Sequence, residues 1–349
     1  MSTTLVECPA RSTFDVWDSS VVGIEAGHVL VYESFECRSP RIHEFDASGT
    51  LVRTDSTDVP RYLRPAVGGF YATRPGPQGS SATLVWFGPD GERRDIAALP
   101  AGTGVSALDD GSFRTTTSGM WTRIDASGGT LWSAPVPAGG VWRAFDLAPD
   151  GGAFVAGCTE GTYCGSRIGR ERVAVRLGPS GAVAWTTTIP WDGVTAWAFE
   201  AVRALPDGGA LALGGAGDWL YGRTPDDAAL SVVRFGPDGA VAWERQVAGW
   251  GRLGELVRVT DARVVDGYLE VGARHFDPTP PGVVYRYVAL VLSADDGAVV
   301  SRSPLGAEVN GYLEDLGDGR WARAAHGGTA GCPRGQCSGN RTLEFQILR

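Results

Sequence analysis

The sequence predicts an all-β fold, namely a seven-bladed β-propeller of four-stranded antiparallel blades. Three observations support this fold: a hairpin pattern that recurs six times, a second hairpin before each copy, and a spacing of roughly 40 to 60 residues, which is the period of propeller blades. The clearest copy is SVVRFGPDGAVAWERQV at 231–247. Its two apolar runs flank a GPDG turn, and Val241, Trp243 and Val247 alternate as in a half-buried strand.

The other copies keep the order of strand, glycine-containing turn and strand. They are IHEFDASGTLVRT (42–54), LVWFGPDGERRDI (84–96), WTRIDASGGTLWS (121–133), VAVRLGPSGAVAWTT (173–187) and VALVLSADDGAVVSR (288–302). A first pair of strands precedes each copy, most clearly FDLAPDGGAFVAG (145–157) and VRALPDGGALALGG (202–215). Each unit therefore has four strands, which we call A, B, C and D.

The last unit ends in a C strand, RTLEFQILR (341–349), with no strand after it. We expect Thr3–Glu7 to supply the missing D strand, so that the N-terminal strand pairs with the last blade and closes the ring without an exposed sheet edge. Residues 1–349 are then a single propeller domain. The predicted blades are roughly 14–55, 61–98, 103–137, 142–189, 198–247, 254–304, and 309–349 together with 2–8.

Composition and charge exclude several classes of protein. The net charge is −9 and the pI is near 5.0, which argues against binding to nucleic acids or to anionic membranes. No run of about 18 apolar residues is present, so we expect no transmembrane segment. The N-terminus, MSTTLVEC, has neither a charged nor an apolar region typical of a signal peptide, and we expect a mature, monomeric chain.

The repeat resembles the bacterial β-propeller repeats of secreted proteins and lipoproteins, the SBBP and delta-60 types. The match is best where DGGAFVAGC precedes VAVRLGPSGAVAW (150–185) and where DGGALALGG precedes SVVRFGPDGAVAW (207–243). It extends over blades 3 to 6 and is faint in the others. The resemblance implies a propeller fold and a secreted, periplasmic or cell-surface location, and it implies no particular activity.

A more distant likeness is to the PQQ-type propellers, whose blades carry an Asp-x-x-Thr-Gly-x-x-x-Trp pattern. The nearest segment, from Asp125 to Trp132, reads DASGGTLW and lacks the Thr-Gly pair, and the chain has no adjacent cysteines. We therefore expect no quinone and no other cofactor. Trp132, Trp185 and Trp243 are better interpreted as packing residues between blades.

The long, dissimilar connections predict the position of a binding face. In a four-stranded meander the tight A–B and C–D turns share one end, so the B–C and D–A connections share the other. Variable loops on a rigid scaffold commonly bind ligands, although ordinary solvent loops are the simpler alternative. These connections are rich in aromatic residues, which suit a glycan or protein ligand or else cap the core. The candidate contacts are Tyr163, Trp219, Tyr221 and Trp250.

Charged residues on the predicted A strands form a second candidate set, and Arg143 and Glu200 are the ligand contacts chosen from it. We expect the set near the loop-bearing ends of the A strands: Arg61, Arg64, Arg143, Asp146, Glu200, Arg203, Glu255, Arg258 and Glu314. Such residues could serve a channel-based enzyme, for example a polysaccharide lyase or a glycoside hydrolase. Ion pairs around a wet channel, or a purely structural role in a cell-surface assembly, are the alternatives.

Six cysteines allow fifteen disulfide connectivities, and the predicted topology favours one of them. Cys158 and Cys164 share one B–C loop, Cys332 and Cys337 share another, and Cys8 ends the closing strand on the same side as Cys37. We predict the pairs Cys8–Cys37, Cys158–Cys164 and Cys332–Cys337, which implies an oxidising compartment. A metal fragment of Cys332, Cys337 and His326 is the competing interpretation, but no second pair of ligands follows at zinc spacing.

The sequence offers little sign of catalysis. Of four histidines, His28 and His43 fall in predicted strands, where a structural role is more common. No nucleophile elbow, zinc-protease motif or P-loop occurs, and the turns hold too few carboxylates for a calcium loop. We predict no metal and no catalytic residue, and a binding or scaffolding module in preference to an enzyme.

Overall fold

The structure is a computed structural model in which only part of the chain can be described. The described residues are 2–8, 20–23, 28–33, 41–55, 63–76, 81–88, 92–108, 110–117, 119–138, 140–159, 171–190, 199–216, 229–247, 257–277, 284–308, 311–317, 320–327 and 341–348. They form seven four-stranded sheets, and every strand pairing that the structure defines is antiparallel. No helix among them is long and apolar enough to cross a membrane.

The chain divides into two compact units, residues 1–136 with 308–349, and residues 137–307. The first unit contains four sheets, numbered 1, 2, 3 and 7. Their strands are β2 (Ser20–Gly23), β3 (Val29–Glu33), β4 (Arg41–Phe45) and β5 (Leu51–Asp55) in sheet 1; β6 (Arg64–Ala66), β7 (Gly69–Pro75), β8 (Ser81–Phe87) and β9 (Arg93–Pro100) in sheet 2; β10 (Gly104–Ala107), β11 (Phe113–Thr117), β12 (Met120–Ile124) and β13 (Thr130–Pro135) in sheet 3; and β26 (Gly311–Gly317), β27 (Arg320–Gly327), β28 (Arg341–Leu348) and β1 (Ser2–Cys8) in sheet 7.

The second unit contains three sheets, numbered 4, 5 and 6. Their strands are β14 (Gly140–Leu147), β15 (Ala153–Thr159), β16 (Arg172–Leu177) and β17 (Val183–Ile189) in sheet 4; β18 (Ala201–Ala204), β19 (Ala210–Ala216), β20 (Ala229–Phe235) and β21 (Val241–Val247) in sheet 5; and β22 (Arg258–Val265), β23 (Tyr268–Asp277), β24 (Val284–Ser293) and β25 (Val299–Glu308) in sheet 6.

Each sheet follows the A-B-C-D order of the repeat, and burial follows the position of the strand. The C strand β16 is buried at all six positions, whereas the D strand β17 is exposed at alternate positions. A middle strand is covered on both faces, so its sequence is mainly apolar, and the two arginines of β16 are buried with it. An outer strand is covered on one face only, so its burial tends to alternate. Each sheet is thus a blade of the β-propeller type.

Neighbouring sheets within a unit share apolar cores. Phe154 of sheet 4 and Phe235 of sheet 5 belong to one buried cluster, and the ring of Trp185 lies 5.9 Å from each of them. The Nε1–H of Trp185 donates to the carbonyl oxygen of Pro237 at 2.9 Å. Trp185 therefore packs between two blades, and the sequence-based interpretation of this residue is confirmed.

The predicted closed ring of seven blades is corrected by the division into two units. Strand β1 pairs antiparallel with β28, and this pairing completes one sheet inside the first unit. Ring closure is not shown, and we describe the chain as all-β, with blade-type sheets in two units.

In sheets 3, 4 and 5 the turn between strands A and B carries an ion pair with strand C that fastens one end of the sheet. Asp150 accepts a hydrogen bond from the main-chain N–H of Gly152 at 3.0 Å and forms an ion pair with Arg176 of strand C at 2.5 Å. In sheet 5, Arg234 repeats this contact, pairing with Asp207 at 2.7 Å. The same arginine reaches Asp295 of sheet 6 at 3.2 Å. We call this end of each sheet the turn end, and the opposite end the loop end.

The carboxylates of these turns make the stability of the fold dependent on pH. The N–H of Gly152 and the guanidinium of Arg176 hold the pKa of Asp150 below its ordinary value. The N–H of Gly209 and the guanidinium of Arg234 do the same for the pKa of Asp207. A pKa lowered in the folded state stabilises the fold above the unfolded pKa of about 3.9 and loses this effect as pH falls through the folded value.

We therefore expect the free energy of unfolding to fall as the pH is lowered below about 4, the unfolded pKa of Asp. Urea denaturation at a series of pH values measures this dependence. The double variant Asp150→Asn, Asp207→Asn removes two of the carboxylates and should show a smaller fall over the same range. An equal fall in the variant and the parent would contradict the assignment to these turns.

Candidate functional site

The loop end of the second unit is the candidate functional site, because its connections are long while those of the turn end are short. The connections at this end join β15 to β16 (160–171), β17 to β18 (190–200), β19 to β20 (217–228), β21 to β22 (248–257) and β23 to β24 (278–283). At the turn end a hairpin closes within a few residues, as where the N–H of Gly239 donates to the carbonyl oxygen of Gly236 at 3.0 Å. Within this unit, the connections therefore differ most from one another in length and sequence at the loop end.

Arg143 lies on a β-bulge of the first inner strand of this unit. In the pairing of β14 with β15, Trp142 faces Gly157 and Ala144 faces Ala156, so Arg143 is the extra residue between them. Its side chain is exposed. A bulge of this kind bends the strand and re-aims a side chain, and bulges are common next to functional sites. The bulge presents Arg143 to solvent on the inner strand.

Glu200 stands at the loop end of the second inner strand, one residue before β18. Its Oε2 accepts a hydrogen bond from the main-chain N–H of Val259 at 3.2 Å, and Val259 belongs to the inner strand β22 of sheet 6. The side chain is partly buried. Glu200 thus ties two inner strands together at the loop end.

Asp146 and Arg203 make similar links between inner strands, although they do not lie at the loop ends where the sequence analysis predicts them. Both are penultimate residues of inner strands that run towards the turn end. The expectation that they lie near the loop ends is therefore wrong. Asp146 Oδ2 accepts from the N–H of Ala204 at 2.6 Å. Arg203 donates to the carbonyl oxygen of Ala262 and lies 3.7 Å from Asp261 Oδ1.

These contacts limit what the inner strands can do chemically. The carboxylates of Asp146, Glu200 and Asp261 each accept a main-chain N–H. General acid–base catalysis needs a carboxyl group that can reach a substrate proton, and a carboxylate already bonded to the backbone is better suited to holding strands in place. Several polar residues of the inner strands are therefore structural links, whereas Arg143 and Arg263 are exposed on the inner strands β14 and β22.

Sequence reasoning overlooked Arg172, the first residue of the C strand β16. Its side chain is 4% exposed. Its guanidinium donates to Ser231 Oγ at 2.8 Å and to Glu244 Oε1 at 2.7 Å, and it lies 5.4 Å from the ring centroid of Phe199. The one signal in the sequence is that two arginines, Arg172 and Arg176, interrupt an apolar strand, RVAVRL. Such an arginine must find a buried partner.

The remaining predicted site residues fall mostly outside the described residues. Tyr163, Trp219, Tyr221 and Trp250 do so, and the ligand contacts proposed for them stay predictions. Among the wider set, Arg61 and Glu255 are likewise outside, Arg64 is exposed on β6, and Arg258 and Glu314 lie on strands β22 and β26.

Among the six cysteines, the structure describes the side chain of Cys158. Cys158, at the end of β15, is buried and disulfide-bonded. Cys8 lies on β1, and Cys37, Cys164, Cys332 and Cys337 lie outside the described residues. The three predicted pairings therefore stay predictions.

Two of the four histidines, His28 and His43, have structural partners. His43 is buried on β4, with its Nδ1 2.9 Å from Thr54 Oγ1, and His28 Nδ1 lies 2.7 Å from Glu44 Oε1. Within the described ranges, no three His, Cys, Asp or Glu side chains lie close enough together to hold a metal ion. The described part of the chain is thus an all-β protein of propeller blades.

Comparison with known proteins finds structural similarity at low sequence identity. No family model matches it, and no curated protein does. A polysaccharide lyase, Uly1, is 9% identical over 94% of this chain and 89% of its own, with a TM-score of 0.47. Virginiamycin B lyase from Staphylococcus aureus is 11% identical over 98% and 99%, also with a TM-score of 0.47. The β-propeller domain of the Trilobed protease from Pyrococcus furiosus is 9% identical over 85% and 99%, with a TM-score of 0.44. Likenesses this distant carry no conclusion about activity.

Proposed function

We propose that this protein is a secreted or cell-surface binding module whose ligand, a glycan, is held at the loop end of the sheets. The observation that carries the proposal is the exposed Arg143 on a bulge of an inner strand, in the unit whose loop-end connections contain Tyr163, Trp219, Tyr221 and Trp250 in the sequence. A planar guanidinium can donate several hydrogen bonds to sugar hydroxyl groups, and aromatic rings stack on sugar faces at little entropic cost.

The turn end supports the proposal by contrast. Several of its charged side chains form ion pairs within and between sheets, such as Arg176 with Asp150 and Arg234 with Asp207. These pairs hold the blades in place and leave little chemistry for a ligand. Recognition therefore belongs to the opposite end, where the rigid strands present variable connections.

A channel-based enzyme, such as a polysaccharide lyase or a glycoside hydrolase, is the second candidate. It would use Glu200 or Asp146 as an acid or base, but both carboxylates accept main-chain hydrogen bonds. We therefore favour binding without turnover. The resemblance of the repeat to the SBBP and delta-60 types supports an extracytoplasmic setting, and so does the disulfide at Cys158, since such bonds persist in oxidising compartments.

The test is a binding screen against immobilised oligosaccharides, with Trp219→Ala as the first variant. We expect a glycan of one class to bind and the variant to weaken this binding at least about tenfold, as truncation of an aromatic hot spot does. Tyr268→Ala is the matched control, because Tyr268 is an exposed aromatic residue beside the opposite, turn end. Its affinity should equal that of the parent.

Two outcomes would count against the proposal. If no glycan binds, a protein ligand becomes the better explanation of the loop end. If a bound glycan is cleaved, and Glu200→Gln abolishes cleavage while leaving affinity intact, the protein is an enzyme of the second class.

A further inference from the structure

The outer strand of sheet 4, β17, has a free edge that lacks the usual protection against pairing. It pairs with β16 on one side only, and no main-chain hydrogen bond from another described segment reaches its other side. The unpaired N–H and C=O groups of an edge strand can pair with a further strand, and proteins commonly block such edges with charged side chains or proline. The sequence of β17, VAWTTTI, contains neither.

The other outer strands differ from β17 in this respect. Charged residues occur in β1, β5, β9, β21 and β25, and β13 ends in Pro135. The nearest counterpart is β21 of sheet 5, which begins with the same three residues and then has Glu244 and Arg245 where β17 has Thr186 and Thr187. The unprotected edge is therefore a property of β17 and not of the repeat.

One face of β17 packs against its own unit and fixes the strand. The Nε1–H of Trp185 donates to the carbonyl oxygen of Pro237, and the Oγ1 hydroxyl of Thr187 donates to the carbonyl oxygen of Gly239 at 2.7 Å. The side chains of the opposite face are small and exposed: Ala184, Thr186 and Thr188. A strand that is already held in its extended conformation loses little entropy when a further strand pairs with it.

The sequence of β17 is complementary to a second copy of itself. Thr186 is the middle residue, so an antiparallel pair centred on it joins all seven residues of both strands. Thr186 then lies opposite Thr186 of the copy, and Ala184 lies opposite Thr188. Val183, which is 53% exposed, lies opposite Ile189. Small residues thus meet small residues, apolar residues meet apolar residues, and no charge repels the copy. Such a contact uses the same patch on both chains and closes after two.

We propose that this protein forms a homodimer in which β17 of one chain pairs antiparallel with β17 of the second. The two copies of sheet 4 then form one continuous sheet, with four strands from each chain. This inference concerns the outer edge of sheet 4 and does not depend on the proposed glycan binding. It departs from the monomer that the sequence analysis expects, because that expectation did not consider which edges stay open.

Sedimentation equilibrium on the intact protein measures the mass directly. We expect the mass to rise with protein concentration from the 36.7 kDa of one chain to twice this value. Thr186→Lys places two lysines directly opposite each other, so the dissociation constant should rise roughly fivefold, and Thr186→Glu should act in the same way. Gln246→Lys is the matched control, because it adds the same charge to an exposed position of the outer strand β21. Its dissociation constant should equal that of the parent.

A mixture of the two charged variants tests the symmetry of the contact. Equimolar Thr186→Lys and Thr186→Glu should form a heterodimer at least as stable as the parent homodimer, because opposite charges then face each other. This rescue requires that residue 186 of one chain lies opposite residue 186 of the other. Absence of the heterodimer, or equal effects of Thr186→Lys and Gln246→Lys, would overturn the inference.

Hydrogen–deuterium exchange of the parent protein gives a second measurement that needs no variant. Amides of β17 should exchange more slowly at high than at low protein concentration, because pairing protects those that point outward, whereas amides of β21 should not change. Equal exchange of β17 at both concentrations would overturn the inference. A single chain at every concentration would overturn it too, and an extended peptide of another protein would then be the better explanation of the free edge.

Discussion

Replacement of Trp185 by alanine should lower the free energy of unfolding by about 3 kcal/mol, near the low end of the range for large aromatic residues because the indole is only half-buried. The ring lies between Phe154 of its own sheet and Phe235 of the next. Its Nε1–H also bonds to the carbonyl oxygen of Pro237. Removing it leaves a gap in the core shared by two blades. Chemical denaturation followed by circular dichroism measures the loss.

Trp185→Phe separates the two contributions of this residue. Phenylalanine keeps an aromatic ring between the blades and loses the hydrogen bond, so the expected loss is about 1 kcal/mol, the usual net value of one hydrogen bond. If Trp185→Ala lowers the free energy of unfolding no more than Trp185→Phe does, Trp185 does not stabilise the protein by packing between the blades.

Replacement of Gly157 by alanine should lower the free energy of unfolding by about 3 kcal/mol, because the added carbon has no space. A Cβ at this position would lie 2.0 Å from the carbonyl oxygen of Val141, which is main chain and cannot rotate away. Gly157 faces Trp142, directly beside the bulge that carries Arg143. The variant should therefore also weaken ligand binding, by moving Arg143.

Gly104→Ala is the matched control for this change. Gly104 lies on the inner strand β10, and the nearest atom to an added Cβ is 3.8 Å away, an ordinary contact. The same denaturation measurement should show nearly the stability of the parent. Comparable losses in both variants would mean that glycine is needed for reasons other than space.

The repeat made most of the fold accessible from the sequence, because each blade repeats one short pattern. The strand order A-B-C-D, the tight turns and the role of Trp185 all follow from local residues. The division into two units does not, since it depends on how strongly each sheet packs against its neighbours. No single segment of the sequence therefore predicts the division into two units.

The candidate site was only partly predictable, for a different reason. Arg143 and Glu200 could be chosen as charges on predicted inner strands, but the bulge at Arg143 depends on register across two strands. Arg172 was missed because its partners, Ser231 and Glu244, lie 59 and 72 residues further along the chain. Asp146 and Arg203 were misplaced by strand direction, since they end their strands instead of beginning them.

The pairing of β1 with β28 bears on how the protein is made. Sheet 7 needs a strand from the first ten residues and three strands from the last forty of the chain. During translation the first unit must wait for the last strand, whereas residues 137–307 form a continuous segment that can fold while synthesis goes on. Until β28 has been synthesised, the edges of β1 and β27 that pair with it are free, and they can form incorrect strand pairings. A ribosome-bound nascent chain that stops before residue 341 should therefore be resistant to protease in its second unit and sensitive in its first.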